Sequence, residues 1–261
     1  MFTSDDTANM ADLLMLAAIV LAAFIPSLVL MLLVKNTERR GREPAGKTFV
    51  AFLRGATLSI FLAVIIEVFL VYVVLDLDVL RVSDLLGKHP ELSTLILACV
   101  IAPLTEELTK ALGILPYSRR AKELEDGIVY GAAVGLGFAA TENLLYESSA
   151  YISGGVALLI GTVIVRTISS ALLHASASSI TGYGLAARRF LGVSWLPYYL
   201  LAVLLHSVFN LAASLGPLLE TTSVGEYGYL ISLFAAVAIG VGAFTWSRRK
   251  IATIESGRAS G

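Results

Sequence analysis

Seven stretches of the chain, 11–34, 49–75, 92–115, 127–147, 155–186, 195–216 and 227–247, are almost continuously apolar. Each is long enough to cross a bilayer as a helix, which takes about 20 residues. The pattern predicts an all-α, polytopic membrane helix bundle of about seven transmembrane helices, and a multi-pass protein of the cell membrane. The first stretch does not have the form of a cleaved signal peptide. Its leader, "MFTSDDTANM", is acidic, and the basic run "KNTERRGR" follows the apolar core instead of preceding it. Lys and Arg fall almost entirely on one set of connections: Lys35, Arg39, Arg40, Arg42, Lys47, Arg54, Arg119, Arg120, Lys122, Arg188, Arg189, Arg248, Arg249, Lys250 and Arg258. The other set carries Arg81 and Lys88 among the acidic Asp76, Asp78, Asp84, Glu91, Glu220 and Glu226. By the positive-inside rule this places the N-terminus outside and the C-terminus in the cytoplasm. No linker or soluble segment interrupts 1–261, so a single integral-membrane domain is expected, with the bilayer as one of its partners.

The chain is 57% hydrophobic and 15% charged, with a formal net charge of −1, and no basic surplus points to nucleic acid. The single cysteine, Cys99, lies inside a span and reads as a small buried hydrophobe. Against this background the ionisable residues inside the spans stand out: Glu67, Glu106, Glu107, Lys110, Glu142, Arg166, His174 and His206. A charge at the centre of a membrane helix costs roughly 2.5–3.5 kcal/mol. Several such charges would rival the whole stability of a domain, about 5–15 kcal/mol, unless they pair, take up protons or meet water.

Counting at about 1.5 Å per residue from the basic ends puts Glu106 about 15 Å deep, His206 about 16 Å, His174 about 18 Å and Glu142 about 22 Å, one slab of the membrane. The helix faces agree. Gly131, Gly135, Phe138 and Glu142 share a stripe on the fourth span, and its glycines admit a close neighbour. His174 shares a small, polar face with Ser170, Ala177 and Ser178, and His206 lies one turn from Asn210. The same count sets Glu67 and Arg166 about 27 and 30 Å from the basic side, where they are expected to form a structural pair, or Arg166 alone to snorkel to the outer interface. His89, in an outer loop, is expected to be solvated and without a partner, and Asn143 points away from Glu142 as a structural residue.

Adjacent glutamates on a helix diverge by about 100°, so one of Glu106 and Glu107 faces a site while the other is held by Lys110. A carboxylate in an apolar cavity suits a general base acting on water. An imidazole and an amide nearby could support the oxyanion formed when that water attacks a carbonyl. This is minimal equipment for amide hydrolysis without a covalent intermediate.

The segments "EELTK", "GLGFAATEN", "LLHASAS" and "LLHSVFN", in this order on successive spans, resemble the PrsW family of intramembrane proteases, relatives of the type II CAAX prenyl proteases within the CPBP superfamily. The match covers about 102–210, the core expected to carry the catalytic motifs. Lys110 follows the glutamate pair after two residues, where CAAX relatives usually have an arginine after three, and Leu173 replaces an expected glycine. The resemblance implies an intramembrane peptidase with Glu106, Glu107, Glu142, His174, His206 and Asn210 as catalytic residues; Lys110, Phe138 and Arg166 are expected to support them. Glu106 would be the base, and Glu107 would be oriented by Lys110. His174 or His206 would position the water, with Asn210 assisting the oxyanion. The substrate implied is a membrane protein, such as a single-span anti-sigma factor.

The chain lacks H-E-x-x-H, G-x-S-x-G and any aspartate in the middle of a span. The intramembrane acids exceed the cations by two, an excess that protons or one divalent cation could meet. A metal-free glutamate mechanism is expected. A metal-dependent version would use zinc on Glu106, Glu142, His174 and His206. A non-catalytic scaffold or a transporter would use the same polar cluster differently, but no paired broken helices of a carrier are visible.

Overall fold

Inside a bilayer each backbone N–H and C=O must be satisfied within its own segment, so apolar runs of this length become helices. The computed structural model describes residues 4–39, 42–73, 88–220 and 222–259, and no strand occurs among them. The helices are α1 (Ser4–Lys35), α2 (Ala45–Arg54), α3 (Ile60–Val71), α4 (Pro90–Ile96), α5 (Ala102–Ser118), α6 (Asp126–Ile168), α7 (Ser170–Leu191), α8 (Leu196–Ala213), α9 (Leu215–Leu219) and α10 (Gly225–Ala259). Asp76, Asp78, Arg81 and Asp84 of the expected outer loop, and Arg40, lie outside the described residues.

Among the described residues six continuous helical stretches are long and apolar enough to span a membrane, against the seven expected. The difference lies between Asp126 and Leu191, 66 residues that run on almost without a gap. A straight helix of that length would measure about 100 Å, roughly three hydrocarbon cores. It turns back instead at Gly154 (φ −148°, ψ 16°) and Gly155 (φ 66°, ψ −158°), the second in a conformation that favours glycine. The glycine stripe then closes the hairpin. A Cβ on Gly127, Gly131 or Gly135 would strike the carbonyl of Gly182, Ser178 or His174, respectively. These three pairs are symmetric about the Gly154–Gly155 bond and fix one antiparallel register. A second break at Ser169 (φ −123°, ψ −76°) separates α6 from α7, so the expected span 155–186 is not one continuous helix.

On its other face α6 meets α2 and the π-helical turn Gly55–Ser59, where Gly137 abuts the Phe52 carbonyl and Gly55 the Val134 carbonyl. The first half of α6 is therefore buried on all sides, and Ala133, Val134, Leu136, Ala139 and Ala140 are completely enclosed. Leucines, valines and phenylalanines on the outer helices face outward, as expected of surface in contact with lipid.

Candidate active site

The α5 helix begins after a second π-helical turn, Leu97–Ile101, and carries Glu106, Glu107 and Lys110 inward. A widened turn leaves a carbonyl without its usual donor, and Asn210 Nδ2 on α8 donates to the Ala98 carbonyl at 2.6 Å. Lys110 is completely buried. Its ammonium has three protons and three acceptors: Glu107 Oε1 at 2.9 Å, Glu106 Oε2 at 3.1 Å and His174 Nδ1 at 2.8 Å. The Phe138 ring closes the remaining side, 4.1 Å from Nζ.

These contacts set both imidazoles. An ammonium can only donate, so His174 Nδ1 accepts from Lys110, and His174 Nε2–H donates to Glu142 Oε2 at 2.8 Å. His206 donates Nδ1–H to Glu107 Oε1 at 3.0 Å, leaving the Nε2 lone pair 4.0 Å from Glu106 Oε2. The two rings meet edge-on, 5.0 Å between centroids. Donor atoms of Glu106, His174 and His206 all lie within 4.8 Å of one another, the one such group among the described residues. Glu142 stands outside this trio, on the far nitrogen of His174.

Glu106, Glu142, Arg166, His174, His206 and Asn210 all line one cavity of about 290 Å³. The Glu106 side chain is 11% exposed and that of Glu107 0%, so Glu106 faces the cavity and Glu107 lies behind it. The four residues expected at one depth are thus brought together, with Lys110 and Phe138 between them.

Arg166 is the main correction. It does not pair with Glu67 and does not reach away from the site. Its Nη2 contacts Glu142 Oε2 at 2.9 Å and Ser170 Oγ at 3.1 Å, its Nε donates to Asn143 Oδ1 at 2.6 Å, and it stacks on Tyr146. Glu67 instead accepts from Thr105 Oγ1 at 2.8 Å, one residue before Glu106. Depth counted from the end of each apolar run misplaced Arg166, because α7 extends past its partner to Leu191. Counted from the glycine register, Arg166 lies opposite Asn143, the residue next to Glu142. His89 also differs from expectation, since its Nδ1 meets Glu91 Oε1 at 3.2 Å, though both are exposed.

Sequence reasoning misses Tyr146 as part of the cavity, whereas Ser170, expected on the polar face of His174, lines it as well. Tyr146 is one turn beyond Glu142 on the same face, a signal the spacing does carry. It also misses Glu147, which is buried with neither carboxylate oxygen hydrogen-bonded.

The profile of the family described as "PrsW family intramembrane metalloprotease" matches residues 43–241, which include every residue of the cluster. The curated Protease PrsW of Clostridioides difficile (strain 630) is 31% identical over 199 residues, covering 73% of this chain and 76% of that protein. No solved structure matches the chain.

Proposed function

The chain belongs to the PrsW family of intramembrane proteases, and we propose that the water with which this membrane peptidase cuts its substrate is activated at Glu106. The observation that carries this is the asymmetry of the glutamate pair. Glu106 alone reaches the cavity, and both imidazoles come within 4.0 Å of its Oε2. Glu106 takes the proton from water. Glu107 holds His206, whose remaining lone pair is left turned toward Glu106, and Glu142, itself held by Arg166, holds His174, whose other nitrogen accepts from Lys110. Asn210 spends one N–H on Ala98 and retains a second for a substrate oxygen. The substrate is a membrane-associated protein, and by the family resemblance a single-span regulator of the anti-sigma kind.

A second reading rests on the donor set. The family's description names a metalloprotease, against the expectation of a metal-free site. Two imidazoles and a carboxylate converge on one point, and each imidazole is oriented from behind by a carboxylate, which fits a zinc-type site. Glu106, His174 and His206 would hold the cation, whose chemistry when bound is Lewis acidity toward water and carbonyl. Lys110 would then have to release His174 Nδ1.

The test is N-terminal profiling of membranes from cells expressing the native chain or Glu106→Gln at equal abundance. New termini near membrane spans, present only with the glutamate, are expected. Identical profiles across several envelope stresses would defeat the assignment. Metal content of the purified native and Glu106→Gln proteins separates the two readings, because a metal-free site would hold no stoichiometric cation in either.

A further inference from the structure

At the basic end of the bundle, away from the active site, Arg119 at the close of α5 and Arg188 and Arg189 in the last turn of α7 line a cavity of about 360 Å³ with Leu115, Ser118 and Leu185. Among the described residues no carboxylate forms an ion pair with any of the three arginines or lines the cavity, although Glu38 and Glu43 on the α1–α2 connection and Asp126 at the start of α6 lie at the same end. Those acids are turned inward. Glu43 accepts from the Tyr130 hydroxyl, Glu38 Oε2 from the Glu43 N–H at 2.9 Å, and Asp126 Oδ2 from the N–H groups of Lys122 and Glu123 at 2.7 and 3.0 Å. Glu38, Glu43 and Asp126 are buried, whereas all three arginines are exposed. This end of the molecule therefore presents uncompensated guanidinium groups around a concave surface.

We propose that this cavity binds the phosphate of an anionic phospholipid in the cytoplasmic leaflet. Guanidinium groups grip phosphate oxygens in pairs, more specifically than a diffuse cationic surface does. The cavity's own shape selects a lipid over a soluble anion. Leu115 and Leu185 lie about one helical turn, roughly 5–6 Å, deeper than the arginines, where the first methylenes of an acyl chain would rest. The exposed Phe190 and Leu191 continue that apolar surface beside the arginines. The distribution of Lys and Arg along the chain puts this end at the headgroup level of the leaflet that is rich in anionic lipid.

Native mass spectrometry of the full chain in mild detergent, titrated with phosphatidylglycerol or phosphatidylcholine, tests the proposal. Retention of phosphatidylglycerol is expected to fall about fivefold for each arginine removed, in Arg119→Gln alone and in the triple variant with Arg188→Gln and Arg189→Gln. Arg248→Gln with Arg249→Gln and Lys250→Gln, at the same end but outside the cavity, should leave it unchanged. The single variant keeps the test open if the triple variant fails to fold. Equal losses in the two triple variants would reduce the effect to general surface charge and overturn the site. So would equal retention of phosphatidylcholine. Inorganic phosphate that displaces bound phosphatidylglycerol and protects the native chain from thermal unfolding as well as the lipid does would make the cavity a free-phosphate site, overturning the lipid assignment.

Discussion

Among the described residues two clusters of largely buried acids stand out, and they are built on opposite principles. In the middle of the bundle Glu106, Glu107 and Glu142 each meet a cation or an imidazole, and the cluster opens on a cavity of about 290 Å³. At the basic end Glu38, Glu43 and Asp126 lie among other acids and are held mainly by backbone N–H groups and one phenol. Both groups are largely buried, Glu142 being the most open with 21% of its side chain exposed. Burial of a carboxylate therefore does not by itself mark chemistry. A backbone N–H fixes an acid in order to fix a loop, here the α1–α2 and α5–α6 connections. A partner that can itself move or exchange a proton, beside an open space, equips an acid to react.

The largest effect that can break this contrast is at Glu106. Glu106→Gln is expected to reduce hydrolysis by about 10²–10⁴-fold, the usual contribution of a general base, while Glu43→Gln leaves the rate of the folded protein nearly unchanged. Peptide-bond cleavage in proteoliposomes checks both. A comparable loss in the folded Glu43→Gln protein would show that the distinction between the clusters is false.

Next in size are the two carboxylates that orient imidazoles. Glu107→Gln and Glu142→Gln are each expected to cost about 10–100-fold in activity, with a parallel loss in affinity for a divalent cation if the site holds one. Cobalt titration followed by absorption measures the affinity without relying on turnover. Arg166→Gln sharpens the comparison further. It touches Glu142 rather than the trio, so its loss should be smaller than that of Glu142→Gln and should not exceed about tenfold. A full loss at Arg166 in folded protein would mean that it touches substrate.

The intramembrane cluster is legible in the sequence and the one at the basic end is not, for a physical reason. Charges inside apolar runs are conspicuous because hydrocarbon penalises them, and helical rise alone then sets Glu106, Glu142, His174 and His206 at one depth. Gly131 and Gly135 announce the close helix pair that holds them there. Glu38, Glu43 and Asp126 sit in polar connections that resemble solvated loops, and their burial arises only when α1, α2 and α6 pack together. Arg166 falls between these cases. Its depth depends on where two helices are in register, which the Gly154–Gly155 turn decides and the length of an apolar run does not.

The smallest effect concerns stability alone, and it separates the clusters by pH. Glu38 lies beyond the end of α1, and burial pushes its carboxyl up to about 8 from the ordinary 4.5. The Glu43 N–H opposes that rise, and the neighbouring Asp126 and Glu125 add to it. Between those two values the unfolded chain has released the proton that the folded chain still holds, so stability must fall as pH rises. The contribution is fully present below about pH 4.5 and is lost through about pH 8. Glu38→Gln keeps the hydrogen-bonding shape of the protonated acid and carries no proton to lose. The native protein's thermal midpoint in detergent is therefore expected to decline across this window, and the variant's to decline less. An equal slope in both would mean that the charge of Glu38 is compensated in the folded state.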